Sequence, residues 1–256
     1  MSFLSEIIER KRERVESAKR AAPIDSFEIC PNSHRFRNAL LADGINIIAE
    51  FKRRSPSKGV IRADANLDQI VKSYEAGGAS TISVLTEEDY FSGSLDDLRV
   101  VKRSVDLPVL RKDFIVDEYQ VYESAAAGAD AVLLIVAALE DEELLSLREL
   151  VEDKLGMDAL IEVHTHEEMQ RAVACGANLI GVNNRNLHTF EVSLETSLSL
   201  AAVAPAGTVL ISESGLNSST DIARLHAAGY RGFLIGESLM RSENPEAALR
   251  ELMSRS

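Results

Sequence analysis

The sequence predicts an α/β protein: a closed (β/α)8 barrel, the TIM-barrel architecture, with an additional N-terminal helix. Three observations predict it. Four segments, EAGGASTISVL, AAAGADAVLLIV, VACGANLIGV and HAAGYRGFLIG, each close a helix-like pattern with a small residue and glycine and then enter an apolar run. A glycine just past a helix end supplies the left-handed turn that satisfies the last carbonyls, so each junction reads as helix, turn, buried strand. The glycines concerned, Gly78, Gly128, Gly176 and Gly229, recur at about fifty residues, the scale of a repeated supersecondary unit. Between them lie four more apolar runs, NIIAEF, LPVLRK, DALIEV and TVLIS, which makes eight in all. Short, continuously apolar strands alternating with helices imply parallel pairing. Eight such units in about 210 residues suit a closed barrel. An open doubly wound sheet is the runner-up, weakened because no GxGxxG follows the first strand.

Residues 1–256 read as one domain, with residues 1–44 an N-terminal helical extension whose helix runs from about Phe3 to Ala18. Acids alternate with bases there and no apolar stretch of signal-peptide length follows, so it reads as a helix rather than a targeting segment. The first strand, NIIAEF, turns abruptly into the charged loop KRRSPSKG. Successive strand residues point to opposite faces, so Glu50 and Lys52 leave the backbone on the side of the apolar Ile48. An acid and a base aimed at a barrel's core are the first functional signal.

The helix LDQIVKSYEA and the second strand, within STISVL, come next. The third strand, LPVLRK, ends in Arg111 and Lys112, with Asp113 after it and the helix DEYQVYESAAA beyond. The fourth, AVLLIV, is followed by the amphipathic pattern EDEELLSLRELVED. The fifth, DALIEV, supplies Glu162, and the sixth, NLIGV, leads to Asn183, Asn184 and Arg185. The seventh, TVLIS, brings Ser212, Glu213, Ser214 and Gly215; after the helix STDIARLHAA, the eighth, GFLIG, ends at Gly236 and Glu237. Chemistry in such barrels sits at the C-terminal ends of the strands, where these polar groups collect.

Singly, each of these residues is better explained as a solvated loop group or a rim ion pair. Together they point to a site, because burying several charges in one barrel mouth costs several kcal/mol per ion unless they are well paired. ISESGL and FLIGESL add a second signal, since each places glycine where a strand hands over to a loop, letting backbone N–H groups approach an anion. Consecutive sites after strands seven and eight suit a phosphorylated ligand.

The remaining features exclude more than they suggest. A net charge of −13 argues against a general nucleic-acid binder, which neutralises phosphates with Lys and Arg. No segment approaches the roughly twenty apolar residues that span a bilayer. Cys30 and Cys175 lie far apart without metal spacing, so a reduced, cytoplasmic protein is expected. His164 and His166 follow the fifth strand, but the sequence places no carboxylate or third histidine to make a metal site, and His166 reads as a helix start. His34, His188 and His226 have no identifiable partner. No flavin, pyridoxal or nucleophile-elbow signature occurs, so cofactor-free and metal-free chemistry is expected.

The motifs IIAEFKRRSPSKG, SVLTEEDYFSGS, LRKDFIVDEYQVYES, LLIV, LIEVH, GVNNRNL, ISESGL and FLIGESLM closely resemble the indole-3-glycerol phosphate synthase family of the tryptophan pathway. The resemblance runs in order from about residue 45 to 240, and the N-terminal helix fits it. It implies a small phosphorylated substrate, 1-(2-carboxyphenylamino)-1-deoxyribulose 5-phosphate, cyclised with loss of carbon dioxide and water by a monomeric cytoplasmic enzyme. By position, Lys112 resembles the general acid at the ketone oxygen and Glu162 an acid/base group for later proton transfers. Glu50 and Lys52 resemble the other pair, and Asn183 the substrate-positioning residue. Arg185 resembles a carboxylate clamp, with Ser55 and Leu187 in the same pocket. Phe91, Phe114 and Leu133 or Leu134 would wall the anthranilate ring. Ser214, Gly215, Gly236 and the Glu237 amide would hold phosphate, with Glu213 and Leu234 in the substrate-binding set. An acidic Glu237 side chain should point away from the phosphate.

Ring closure needs an acid at the carbonyl, and dehydration needs groups that receive and give protons. A lysine acting as an acid near neutral pH benefits from a lowered pKa, which burial or a cationic neighbour supplies. Two other readings remain at this point: a different phosphosugar isomerase or aldolase on this fold, or a noncatalytic phosphosugar-binding barrel.

Overall fold

The computed structural model describes residues 3–29, 33–187 and 189–254. Its strands are β1 (Asn46–Phe51), a short antiparallel ribbon of β2 (Arg54–Ser55) and β3 (Gly59–Val60), then β4 (Thr81–Leu85), β5 (Val109–Lys112), β6 (Ala131–Ile135), β7 (Asp158–Val163), β8 (Leu179–Asn183), β9 (Val209–Glu213) and β10 (Gly232–Ile235). All but the ribbon pair in parallel and in chain order, and β1 closes the ring by pairing with both β4 and β10. The predicted barrel is the observed one.

Helices α1 (Phe3–Ala21) and α2 (Arg35–Leu40) precede the ring. Around it run α3 (Leu67–Gly77), α4 (Leu95–Ser104), α5 (Glu118–Ala126), α6 (Asp141–Glu149), α7 (His166–Ala174), α8 (Glu195–Ala201), α9 (Ser219–Ala227), α10 (Glu237–Arg241) and α11 (Pro245–Met253). Their starts are written in the sequence: Asn66, Ser94, Asp117, Thr165, Ser218 and Asn244 each accept a hydrogen bond from a backbone N–H of the first turn. The four repeat glycines all adopt left-handed backbone, with φ between 79° and 106°, as the helix-to-strand turn requires. The EDEELLSLRELVED pattern is α6 followed by a π-helical turn, Leu150–Lys154.

Alternation along the strands sorts the core into two layers. Ile48, Leu110, Leu133, Leu160, Ile211 and Leu234 pack inside the ring, whereas Ile47, Val84, Leu134, Ile161, Val182 and Phe233 pack between ring and helices. The N-terminal extension divides between the two ends of the barrel. α2 plugs the end where strands begin: Phe36 and Leu40 join the inner cluster, and the Arg37 N–H donates to Asp158 at the start of β7 (2.9 Å). α1 crosses the opposite end, tied there by Lys11 to Asp113 just past β5 (2.8 Å). Among the described residues no helix is long and apolar enough to cross a membrane. Cys175 is a buried free thiol; Cys30 and His188 lie outside the described residues.

Candidate active site

The inward side of each strand alternates apolar and, at the last step, polar. β1 presents Ile48 then Glu50, β5 Leu110 then Lys112, β7 Leu160 then Glu162, and β9 Ile211 then Glu213. These four charged groups, with Lys52 and Asn183, form the floor of a cavity of about 740 Å³ under α1, a volume suited to a small molecule. Lys52 Nζ lies 2.5 Å from Glu50 Oε1. Lys112 is not half of a simple pair: its Nζ lies 3.0 Å from Glu162 Oε2 and 2.7 Å from Glu213 Oε2.

The electrostatics correct one expectation. Burial acts to lower the Lys112 pKa, but Glu162, Glu213 and Glu50 outweigh it and leave the ammonium raised. Lys112 is therefore held as a cation. Burial raises Glu162, and Lys112, His164 and a hydrogen bond from Asn183 overcome this and hold it below the ordinary carboxylate value. Glu213 goes the other way and is pushed up to about 7, with burial the largest influence.

Two glycines make room for the carboxylates. A Cβ on Gly236 would run into Glu50 Oε1, and one on Gly181 into Glu213 Oε1. Side chains at either place would evict an acid from the floor.

One wall is apolar. Phe91 and Phe114 rings sit 6.4 Å apart, joined by Leu133, Leu187 and Leu234. Phe91 is aimed inward by Glu87, whose buried carboxylate accepts from the N–H groups of Asp89, Tyr90 and Phe91. Leu134 does not line the cavity: it faces the helices, because residue 133 is the inward one in β6. At the other side, Ser214 (φ 67°) and Gly215 (φ 81°) are consecutive left-handed residues in the turn after β9, and turns of this kind can present backbone N–H groups to an anion. Gly236 and Glu237 begin α10 beside them. The Glu237 carboxylate pairs with Arg241 Nε, 3.2 Å distant, on the rim of the cavity. Ser55, from the β2–β3 ribbon, and Arg185 complete the lining. Arg185 Nη1 donates to the Phe190 carbonyl (3.2 Å), which holds it on the rim.

Arg111, Asn184 and Ser212, which the strand ends also offered, are not part of the site. Arg111 points outward to Asp113, Glu123 and Ser124, and Asn184 bonds Ser212 and Ser197 behind β8 and β9. Odd and even strand positions separate them from their neighbours. Conversely, the sequence reading missed Phe3, Leu4 and Ile7 of α1 and Phe190, Lys58 and Arg241 of the rim, all of which line the cavity. The one available signal was that Phe3, Leu4 and Ile7 share a helix face. His164 also has the carboxylates that the sequence alone did not place: Glu162 and Glu168. His34 Nδ1 lies 2.9 Å from Asp158 at the far end of the barrel, and His166 opens α7 as expected.

Comparison with known proteins decides among the remaining readings. The family model described as indole-3-glycerol phosphate synthase matches residues 4–252. The chain belongs to the indole-3-glycerol phosphate synthase family. Relatives with that name include proteins of Carboxydothermus hydrogenoformans, 46% identical over 264 residues covering 98% of this chain and 100% of that one, and of Bacteroides thetaiotaomicron, 46% identical over 255 residues covering 98% and 97%. Among solved structures, thiamine phosphate pyrophosphorylase from Pyrococcus furiosus aligns with TM-score 0.60 at 17% identity, covering 84% of this chain and 95% of that one; at that identity the likeness concerns the barrel fold alone. The activity is that of the family, synthesis of indole-3-glycerol phosphate.

Proposed function

We propose that this site cyclises 1-(2-carboxyphenylamino)-1-deoxyribulose 5-phosphate to indole-3-glycerol phosphate with loss of carbon dioxide and water, a carbon–carbon lyase (carboxy-lyase) reaction. The observation that carries the reading is Lys112, an ammonium fixed between Glu162 and Glu213 where the apolar wall meets the backbone cradle. A cation so placed suits protonation of the ketone oxygen as the ring carbon attacks it, because negative charge develops on that oxygen in the transition state. The same charge state speaks against an aldolase, whose Schiff-base lysine must be a neutral amine.

The other residues divide the substrate between them. Phe91, Phe114 and Leu133 flank the anthranilate ring; Ser214, Gly215, Gly236 and the Glu237 amide hold the phosphate. Arg185 offers its fork to the carboxylate, and Lys52 meets the substrate's anionic groups. Departure of carbon dioxide restores the aromatic ring. Glu162, oriented by Asn183, then serves proton transfer during dehydration, with Glu50 as the second acid/base. None of these steps calls for a metal or an organic cofactor. The enzyme acts as a monomer in the cytoplasm on this reading.

The test is incubation of purified protein with the carboxyphenylamino deoxyribulose phosphate, without added metal, following indole fluorescence. Wild type should give signal, and Lys112→Ala should lower kcat by at least about a hundredfold. Wild-type protein that binds the substrate without forming indole would mark a binding barrel instead.

A further inference from the structure

On this reading each turnover consumes a proton. The substrate brings its ring carboxylate as an anion, and carbon dioxide leaves neutral. The proton that Lys112 gives to the ketone oxygen departs in the water. The second hydrogen of that water is balanced by the proton lost from the C–H beside the ring nitrogen. Lys112 therefore ends every cycle one proton short, at the floor of the cavity, where bound substrate and α1 stand between it and solvent.

A line of groups leads away from it through Glu162 to His164 and Glu168, which do not line the cavity. Glu162 touches Lys112 with one oxygen, and its other oxygen, Oε1, lies 3.5 Å from His164 Nε2. His164 Nδ1 lies 3.0 Å from Glu168 Oε2, and the His164 backbone N–H donates to the same oxygen at 2.6 Å. Glu168 belongs to the first turn of α7, and its side chain is 17% exposed, whereas that of His164 is 11% exposed. His164 Nε2 is buried with no hydrogen-bond partner among the described residues. Bracing the start of α7 requires no more than the backbone N–H and Glu168. The ring's second nitrogen, aimed at Glu162, is left over by that role.

We propose that His164, backed by Glu168, returns one proton per turnover from the surface of α7 through Glu162 to Lys112. The inference rests on the reaction proposed above. A proton enters at Nδ1 from the Glu168 side and leaves from Nε2 to Glu162 Oε1; the Glu162 carboxyl then turns about its terminal bond, carrying that proton to Lys112 Nζ. No covalent bond other than those to hydrogen changes. The charge setting agrees. Burial acts to lower the imidazole, but the Glu168 hydrogen bond and the charges of Glu162, Glu168 and Glu213 raise it above its ordinary value. At rest the ring can hold a proton near neutral pH, with Glu162 anionic between it and Lys112. His164 is a positioning and relay residue and does not touch substrate.

The experiment compares wild type, His164→Gln, Glu168→Gln and His164→Ala by indole fluorescence from about pH 6 to about pH 9, the last with and without imidazole. His164→Gln keeps an amide to brace the loop but carries no proton. It should lose kcat about ten- to a hundredfold with little change in KM and unchanged thermal melting. His164→Ala should regain rate with added imidazole, more so at pH values where imidazolium is abundant, and Glu168→Gln should fall less than His164→Gln. Wild-type kcat in His164→Gln, or a His164→Ala loss that imidazole leaves untouched, overturns the relay. A wild type that forms no indole overturns the proposed reaction and the relay with it; turnover with indifferent variants overturns the relay alone.

Discussion

Glu50, Glu162 and Glu213 stand in the cavity floor within reach of Lys52 and Lys112, so this set carries one carboxylate more than it has ammonium groups. An unpaired buried carboxylate is costly, and such a site relieves the excess by keeping a proton. Glu213 is the carboxyl whose surroundings favour keeping it. Burial raises its pKa, Lys112 pulls it down, and Glu162 and Glu50 push it up again, to about 7 against an ordinary 4.5. A carboxyl raised in the folded state is neutral in both states below 4.5; as pH climbs through the folded value the unfolded chain has already ionised, and stability is lost. Glu213→Gln removes that loss. The melting temperature of the variant minus that of wild type should thus grow in the variant's favour between about pH 5 and about pH 8. A difference that stays flat over this range would mean that Glu213 does not carry the excess proton.

The helix-to-strand junctions were legible because their physics is local: a left-handed glycine, a capping side chain and an apolar run are all chemistry of adjacent residues. Which face a strand residue takes was legible at β1, where Glu50 broke an apolar pattern. It was not at β6, where AVLLI is buried on both sides and carries no alternation to separate Leu133 from Leu134. The role of α1 was equally hidden, since its contacts with Asp113 and the cavity span about a hundred residues of sequence, beyond what adjacent-residue signals reach. That helix supports a prediction at its own scale. Lys11 is buried at 5% exposure between Asp113 (2.8 Å) and Glu88 (3.1 Å), and Asp113 directly follows Lys112. Lys11→Met keeps the apolar stem but leaves Asp113 with Arg111 and Thr86 as its remaining side-chain partners. Removing one partner of a buried ion pair should cost about 3 kcal/mol in denaturant unfolding, with faster amide exchange along α1 and a raised KM. Asp113→Asn added to Lys11→Met should restore part of the loss; simple additivity of the two changes would mean that the pair does not hold α1 down.

The barrel keeps its chemistry and its closure at opposite ends, and both ends borrow from the segment before the first strand. α1 roofs the cavity where the strands finish, while α2 drives Phe36 and Leu40 into the ring where they begin. The Asn46 amide fixes this lower end by donating to the carbonyls of Leu40, Ala42 and Arg231. Between the ends lies the close-packed inner cluster, which includes Ile48, Leu110, Leu133, Leu160 and Ile211. Close packing transmits strain over short distances, yet a cavity opened below that layer has the inner cluster in which to relax before it reaches Lys112. Phe36→Ala should therefore lower unfolding free energy by about 3 to 5 kcal/mol, while kcat and KM, measured well below its melting temperature, stay within about twofold of wild type. A kcat that fell in step with stability would show that the plug sets the geometry of the acids as well as closing the ring, and that the two ends of this barrel are mechanically one.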